Sequence, residues 1–275
     1  MISIITPTFG RSNKLIKAID SVIFQSYNNF EYLIIDDNGL DTSNQIKTSQ
    51  IVSNYDNNQI IYIPLDLNSG ACVARNKGID IAKGEYVVFL DDDDEFPELY
   101  LENFVKNSHY LNSGDAPFSF LFVPYELNIL TKYKISLDDI LYRNYVGNSI
   151  FIERQLLVSL RFDTTLPAAQ DYDLWIRIIK NNGSALGIRG DSIIHHKDGK
   201  RITNSNNAIE GYLSVLNKNK SIMSIQQISS MQFSIDILRN RVDFISYKGI
   251  KNKLRAIKYL VIKWLSPRLY KKYYL

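Results

Sequence analysis

One cysteine in 275 residues, Cys72, leaves no partner for an internal disulfide and no CxxC pair for a structural zinc site, so a reducing cytoplasm is the expected home. There is no run of roughly 18 apolar residues, the length a bilayer-spanning helix needs, which argues against a transmembrane protein. The opening MISIITPTFGR has no basic stretch ahead of its apolar run, and that run stops at Thr6 and Pro7. It reads as a buried strand rather than a secretion signal. Internal repeats and low-complexity linkers are absent. Acids are missing from the C-terminal end, where Lys248 to Leu275 holds nine Lys or Arg and no Asp or Glu, leaving 23 basic and 29 acidic residues elsewhere. The net charge of +3 therefore belongs to the C-terminus and sits beside a body of net −6.

What is present is enough apolar material, 45% of the chain, to bury one large core. The apolar run Ile2 to Ile5, a helical-period stretch from about Ser12 to Phe24 and the run Tyr32 to Ile35 make a strand, helix, strand unit. Ile60 to Ile63, Ala71 to Ala82 and Tyr86 to Leu90 repeat the alternation, each bounded by Asn, Asp, Gly or Pro. Such alternation predicts an α/β fold with a mostly parallel central sheet flanked by helices. Further on, the pattern predicts strands near Phe118 to Val123, Ser149 to Ile152, Ser184 to Ile188 and Ser192 to His195, and a helix from Tyr172 to Lys180. From about Asn206 the chain reads as helices, which sets an expected catalytic domain over residues 1–205 and a helical appendage over 206–275.

In open parallel sheets ligands bind beyond the carboxyl ends of the strands. Here those ends carry Thr6, Pro7 and Thr8, then Asp36, Asp37 and Asn38, then Asp91, Asp92, Asp93, Asp94 and Glu95. Carboxylates packed this densely repel one another unless a cation or hydrogen-bond donors are present, and hard oxygen ligands suit magnesium or manganese. The plainer alternative is a solvated acidic loop. Asp36 and Asp37 fit either a turn or contacts to a ribose or base. Asn68 to Gly78 is a small-residue entry to a helix with Arg75 in its second turn, suited to phosphate or to a surface ion pair. Asp171 precedes an amphipathic helix and reads as its cap or as a general base. In His195-His196-Lys197-Asp198 one imidazole could ligate a metal or touch a phosphate, or both could be structural.

Taken in order, SIITPTFGR at Ser3 to Arg11, LIIDDN at Leu33 to Asn38, NSGACVARNKGIDIAKGEYVVFLDDDDEF at Asn68 to Phe96 and AQDYDLWIRI around Gln170 resemble glycosyltransferase family 2, inverting enzymes of the GT-A fold, over roughly residues 1 to 200. The resemblance implies that Pro7, Thr8 and Phe9 flank the nucleotide base, Asp37 binds base or ribose, Arg75 lies near the diphosphate and Asp92 holds the ribose. It places the DxD motif on Asp91 and Asp93, with Asp93 the direct metal ligand, and makes Asp171 the base that deprotonates the acceptor. His196 corresponds to the family's late metal- or phosphate-contacting histidine, with His195 as its neighbour and rival. Four consecutive aspartates leave the DxD register open by one position, and Gln170 stands where many relatives have Glu.

The implied activity is inverting transfer of a sugar, dependent on Mn2+ or Mg2+, from a nucleotide-sugar donor, a UDP-sugar by default, to a glycan or undecaprenyl-linked glycan of a cell-surface polysaccharide such as O-antigen or capsule. No nucleic acid is implied as partner. Two other classes stand beside it. A sugar nucleotidyltransferase would open on a Gly-rich loop with catalytic Arg and Lys, which ISIITPTFGR lacks. A nucleotide-sugar-binding protein without transferase activity would not be expected to keep both Asp93 and Asp171. In the tail, Ile250, Leu254, Ile257, Val261, Trp264 and Leu265 recur at helical spacing among Lys251, Arg255, Lys258 and Lys263. That suits either a peripheral contact with the cytoplasmic face of the inner membrane or a helix packed on the protein with its lysines in water. Tyr270, Tyr273 and Tyr274 close the chain.

Overall fold

The computed structural model describes residues 1–111, 118–124, 133–196, 205–243 and 245–265. Lys197, Asp198, Tyr270, Tyr273, Tyr274 and the side chains of Val261, Lys263, Trp264 and Leu265 lie outside the described residues. The chain divides into two compact units, Met1–Leu137 with Tyr145–Thr164 and Asp173–Gly199, and Asp138–Asn144 with Thr165–Tyr172 and Lys200–Leu275.

The first unit opens as the sequence pattern predicts. Strand β1 (Ile2–Thr8), helix α1 (Ser12–Ile23), β2 (Phe30–Asp36), α2 (Ser43–Ser53), β3 (Ile60–Pro64), α3 (Ala71–Ile81) and β4 (Tyr86–Phe89) alternate. All seven residues of β1 and of β2 are buried, as expected for central parallel strands covered on both faces. Helix α1 turns Leu15, Ala18, Ile19 and Val22 inward at helical spacing. Helix α2, which hydrophobic periodicity did not predict, buries only Thr48 and Val52, and its start is set by Thr42 accepting a hydrogen bond from the Gln45 amide at 3.1 Å. After β4 come β5 (Asp94–Glu95), α4 (Tyr100–Asn107), β6 (Leu121–Phe122), β7 (Lys134–Ile135), α5 (Leu137–Ile140), β8 (Ile150–Glu153), α6 (Arg154–Leu160), α7 (Gln170–Asn182), β9 (Ala185–Gly187) and β10 (Ile194–His195).

The main sheet has the order β3-β2-β1-β4-β8-β6-β9-β7. The β3, β2, β1 and β4 pairings are parallel, whereas β8 joins β4 and β6 antiparallel. The chain builds outward from β1 to β3 and then crosses back to lay β4 on the other side of β1. The strand order thus reverses between β1 and β4, the place where such sheets open a crevice. A separate two-stranded ribbon pairs β10 with β5, His195 opposite Asp94.

Register across the central strands is pinned at their amino ends by a buried Glu31, which accepts hydrogen bonds from the Ser3 hydroxyl at 2.6 Å and the Gly84 amide at 3.2 Å. Ile5 is level with Phe89 in the β1 and β4 pairing, and beyond the end of β4 the chain carries Asp92 to the Thr8 hydroxyl at the end of β1. Thr8 is level with Asp36 of β2. Strand pairing and the Thr8 contact to Asp92 therefore bring three polar strand ends to one edge.

The second unit carries α8 (Ser205–Asn219), α9 (Ile225–Leu238) and α10 (Ile250–Leu265). Ser224 starts α9 through a reciprocal capping box with Gln227. Phe233, Tyr247, Ala256 and Tyr259 form a small core between α9 and α10. Among the described residues no helix is long and apolar enough to cross a membrane.

A Cβ added at Gly84 would lie 2.6 Å from the Ser3 amide nitrogen and 2.9 Å from the Ile2 carbonyl carbon, backbone that cannot move without shifting β1. Gly84→Ala is expected to destabilise the protein by about 1–3 kcal/mol. Thermal unfolding should show a fall of several degrees, and an unchanged midpoint would mean that β1 and β4 are not held in register at this end.

Candidate active site

At the switch point, Asp92 turns into the protein. Its Oδ2 accepts from the Thr8 hydroxyl at 2.8 Å and the Phe9 amide at 3.3 Å, and its Oδ1 meets the Arg11 guanidinium at 3.3 Å. Only 4% of Asp92 is exposed, and burial pushes its carboxyl up to about 6, against the lowering effect of Thr8 and Arg11 and with the help of the charges on Asp91 and Asp93. Thr8 is buried and Pro7 lies within β1, whereas Phe9 is 44% exposed just beyond the strand end.

The loop after β2 is tied to the same edge. The Asp37 amide donates to the Thr8 carbonyl at 2.9 Å, and the Asn38 side chain accepts from the Gly10 amide at 2.8 Å. Asp37 also organises the entry to α3. Its two carboxylate oxygens accept from the Ser69 and Gly70 amides, each at 2.7 Å, beside the positive end of that helix. Gly70 sits at φ 92°, a backbone that favours glycine, which lets the chain turn onto the carboxylate. Burial raises the Asp37 pKa while these amides oppose it. Asp36, by contrast, is committed to the fold through Tyr62 at 2.6 Å and Asn38.

One helical turn into α3, Arg75 reaches Asp91 Oδ1 at 2.7 Å. Its guanidinium lies over the Phe162 ring at 5.5 Å, and Phe162 is held in turn by two backbone hydrogen bonds to Asn76. Asn148 donates to the other oxygen of Asp91 at 3.1 Å. Arg11 also bridges to Asp93 Oδ2 at 2.7 Å, with Lys14 at 3.9 Å from the same oxygen. Asp94 pairs with His195 at 2.8 Å, which raises the imidazole pKa, while Asp94 itself is raised by burial. Glu95 pairs with His196, with Lys17 at 3.8 Å. Each of the five consecutive acids thus faces a cationic or ionisable partner from the protein, which relieves the repulsion that their density implies.

Among the described residues no three ligating side chains converge as a ready-made metal cage. Asp93, whose Oδ2 meets Arg11 at 2.7 Å and Lys14 at 3.9 Å, nevertheless keeps its side chain 21% exposed. These residues fit a hard cation held by one or two carboxylates that takes the rest of its shell from substrate phosphates and water. A cleft of about 520 Å³ beside α1 is lined by Asp20, Glu95, Glu98 and the exposed Phe24, with Lys17 as its one cation. Its charge disfavours a diphosphate, so the anion-seeking groups are those at the strand ends.

Asp171 belongs to the second unit, near the start of α7, where Asn144 donates to it at 2.8 Å. Its charge adds to burial in raising the Tyr212 phenol to about 12. The first unit therefore brings Thr8, Phe9, Asp37, Arg75 and Asp91 to Asp93 to one sheet edge, and places His195 and His196 on Asp94 and Glu95. Arg11, Asn38, Asn148 and Phe162 were given no role on sequence grounds. Arg11 carried a usable signal: it stands at the cap of α1, where the helix dipole disfavours a cation, so its partner had to lie outside the helix.

A mostly parallel sheet with this crevice is the GT-A fold of nucleotide-sugar-dependent glycosyltransferases, and solved structures agree. Staphylococcus aureus TarS 1–349 in complex with UDP-GlcNAc matches with a TM-score of 0.61 over 95% of this chain and 80% of that one, at 17% identity. The mannosyltransferase PcManGT from Pyrobaculum calidifontis, in complex with GDP-Man and Mn2+, matches with a TM-score of 0.63 over 99% and 82%, at 14% identity. The chain belongs to glycosyl transferase family 2, whose model matches residues 3–149, and is a glycosyltransferase. It is 32% identical over 251 residues, 88% of this chain and 89% of the relative, to the Escherichia coli (strain K12) protein named as the colanic acid biosynthesis glycosyl transferase WcaA. It is 31% identical over 197 residues, 65% of this chain and 64% of the relative, to the amylovoran biosynthesis glycosyltransferase AmsB of Erwinia amylovora.

Because folding raises the Asp92 pKa from 3.8 to about 6, the folded state holds a proton that the unfolded state has released between those values, and stability falls as pH rises through that window. In Asp92→Asn this fall should be smaller, so that the mutant gains on wild type by on the order of 2 kcal/mol between pH 4 and 6.5. Urea unfolding at a series of pH values measures it, and parallel pH profiles for the two proteins would refute a buried, titrating Asp92.

Proposed function

We propose that this chain is an inverting glycosyltransferase that moves a sugar from a nucleoside diphosphate sugar, a UDP-sugar by default, to a hydroxyl of a lipid-linked glycan during assembly of a cell-surface polysaccharide. The observation that carries the reading is the inward-held Asp92 at the switch point, with Asp91 and Asp93 on either side against Arg75 and Arg11. Names of relatives that refer to colanic acid and amylovoran support the polysaccharide context, and the UDP-GlcNAc complex supports the donor class.

In this reading Pro7, Thr8 and the exposed Phe9 flank the base, and Asp37 and Asp92 take base and ribose. Asp37 Oδ1, bonded to the Ser69 amide, has a second lone pair for a donor on the ligand, whereas Oδ2 accepts from both the Gly70 amide and Asn68. Arg75, oriented by Phe162, meets the diphosphate. Asp93 and Asp91, with His196 nearby on Glu95, would hold Mn2+ or Mg2+. Such a cation supplies Lewis-acid stabilisation of the charge that grows on the departing diphosphate. Asp171 accepts the proton of the acceptor hydroxyl as its oxygen bonds to the anomeric carbon. The bond from that carbon to the diphosphate breaks, its electron pair leaves with the nucleoside diphosphate, and the anomeric configuration inverts. The chain would work at the cytoplasmic face of the membrane that carries its acceptor.

Asp171→Asn is expected to lower kcat by about a hundredfold to ten-thousandfold while leaving nucleotide binding intact. Asp93→Ala should lose the manganese-dependent thermal stabilisation given by the donor nucleotide. A thermal-shift screen against UDP, GDP, CDP and dTDP sugars, with and without manganese, followed by NMR of the product anomer, reads both. Stabilisation by none of these donors, or retention of anomeric configuration, would overturn the proposal.

A further inference from the structure

Helix α10 buries the side opposite to its apolar stripe. Asn252, Ala256 and Tyr259 are 3%, 0% and 0% exposed and face α9. Asn252 donates to the Gln226 carbonyl at 2.8 Å, and Arg255 on the same side donates to the Ser230 hydroxyl at 2.6 Å and lies over the Phe233 ring at 4.8 Å. With about 100° per residue, Ile250, Leu254 and Ile257 fall on the far side of the helix. They are 78%, 59% and 44% exposed. The helix therefore settles on its unit by small, amide and aromatic groups and leaves an aliphatic stripe outward.

The stripe is bordered by charge of one sign. Lys251 and Lys258 run along one edge and Lys253 along the other, all exposed. No acid occurs from Lys248 to Leu275. Two further exposed isoleucines, Ile225 and Ile245, each 71% exposed, stand where α9 begins and where the chain leads into α10. A second copy of this chain is a poor occupant, because pairing two such faces brings lysines against lysines. An anionic lipid surface complements both features at once: aliphatic side chains enter the acyl boundary and lysines meet phosphate headgroups.

We propose that the Ile250, Leu254 and Ile257 face of α10, flanked by Lys251, Lys253 and Lys258, docks on an anionic bilayer without crossing it. This deepens the reading of a lipid-linked acceptor by naming the surface that holds the enzyme where such an acceptor resides. The full chain is tested by flotation with vesicles of phosphatidylcholine alone and of phosphatidylcholine with phosphatidylglycerol. The wild type should float with the anionic vesicles only and be released by high salt. Leu254→Glu and Ile257→Glu, both at exposed positions, should each weaken partitioning by about tenfold or more with unchanged helicity and Tm, and the double reversal Lys251→Glu with Lys258→Glu should do the same. Failure of the wild type to float, or flotation of Leu254→Glu equal to wild type, overturns the proposal. So does a lipid-free dimer that Leu254→Glu converts to monomer, which would assign the stripe to a second copy. Nucleotide-induced thermal shifts, measured without lipid, report on the donor site separately, so either reading can fail alone.

Discussion

A carboxylate held inside a protein costs several kcal/mol of lost hydration unless donors meet it, and Asp92 is such a group. Thr8, the Phe9 amide and Arg11 meet it from the end of β1 and the start of α1. Asp92 reaches them from just beyond β4, and the pairing of β1 with β4 is secured at the other end of the strands by Glu31, Ser3 and Gly84. With Asp92 committed inward, its neighbours are free to engage different cations, Asp91 with Arg75 and Asp93 with Arg11 and Lys14. The arrangement of the acidic strand end follows from this one buried contact.

The resulting charge pattern is interleaved rather than segregated. Guanidinium groups seek phosphate oxygens, and carboxylates seek a hard cation. A diphosphate with its metal needs both kinds of group within a few ångströms. Within the protein the two kinds neutralise each other, which lets five acids in a row coexist at the end of a buried strand. Asn76 and Phe162 contribute at one remove, since they fix the surface over which Arg75 lies.

Sequence reasoning was strongest where burial is continuous. Buried parallel strands are unbroken apolar runs, and β1, β2 and β4 were legible for that reason; β3 showed the same kind of run although it is only partly buried, and α1 was read from its helical spacing and α3 from its place in the alternation. Helix α2 escaped because it buries two residues in eleven and so leaves no periodic trace. Strands β6 and β9 are two or three residues long, too short for alternation to show their limits, and their places were visible only as aromatic or apolar patches, while the two-residue β7 was not predicted at all. In the tail the spacing of the apolar residues was legible, but not the side on which they would lie, because Asn252, Ala256 and Tyr259 supply a second face that can be buried.

The sequence by itself determined the alternating order of elements, the polar character of three strand ends and the family to which those motifs point, because each is written in local pattern. Tertiary structure alone decided that Asp92 is buried against Thr8 and Arg11 and Asp94 against His195, because that depends on where the chain beyond β4 meets other elements rather than on any residue's neighbours in the chain. It decided likewise that Arg11 bridges Asp92 and Asp93 across more than eighty residues, and that His195 falls to Asp94 and His196 to Glu95. Such partners are chosen by pairing register, a long-range property that no local pattern encodes.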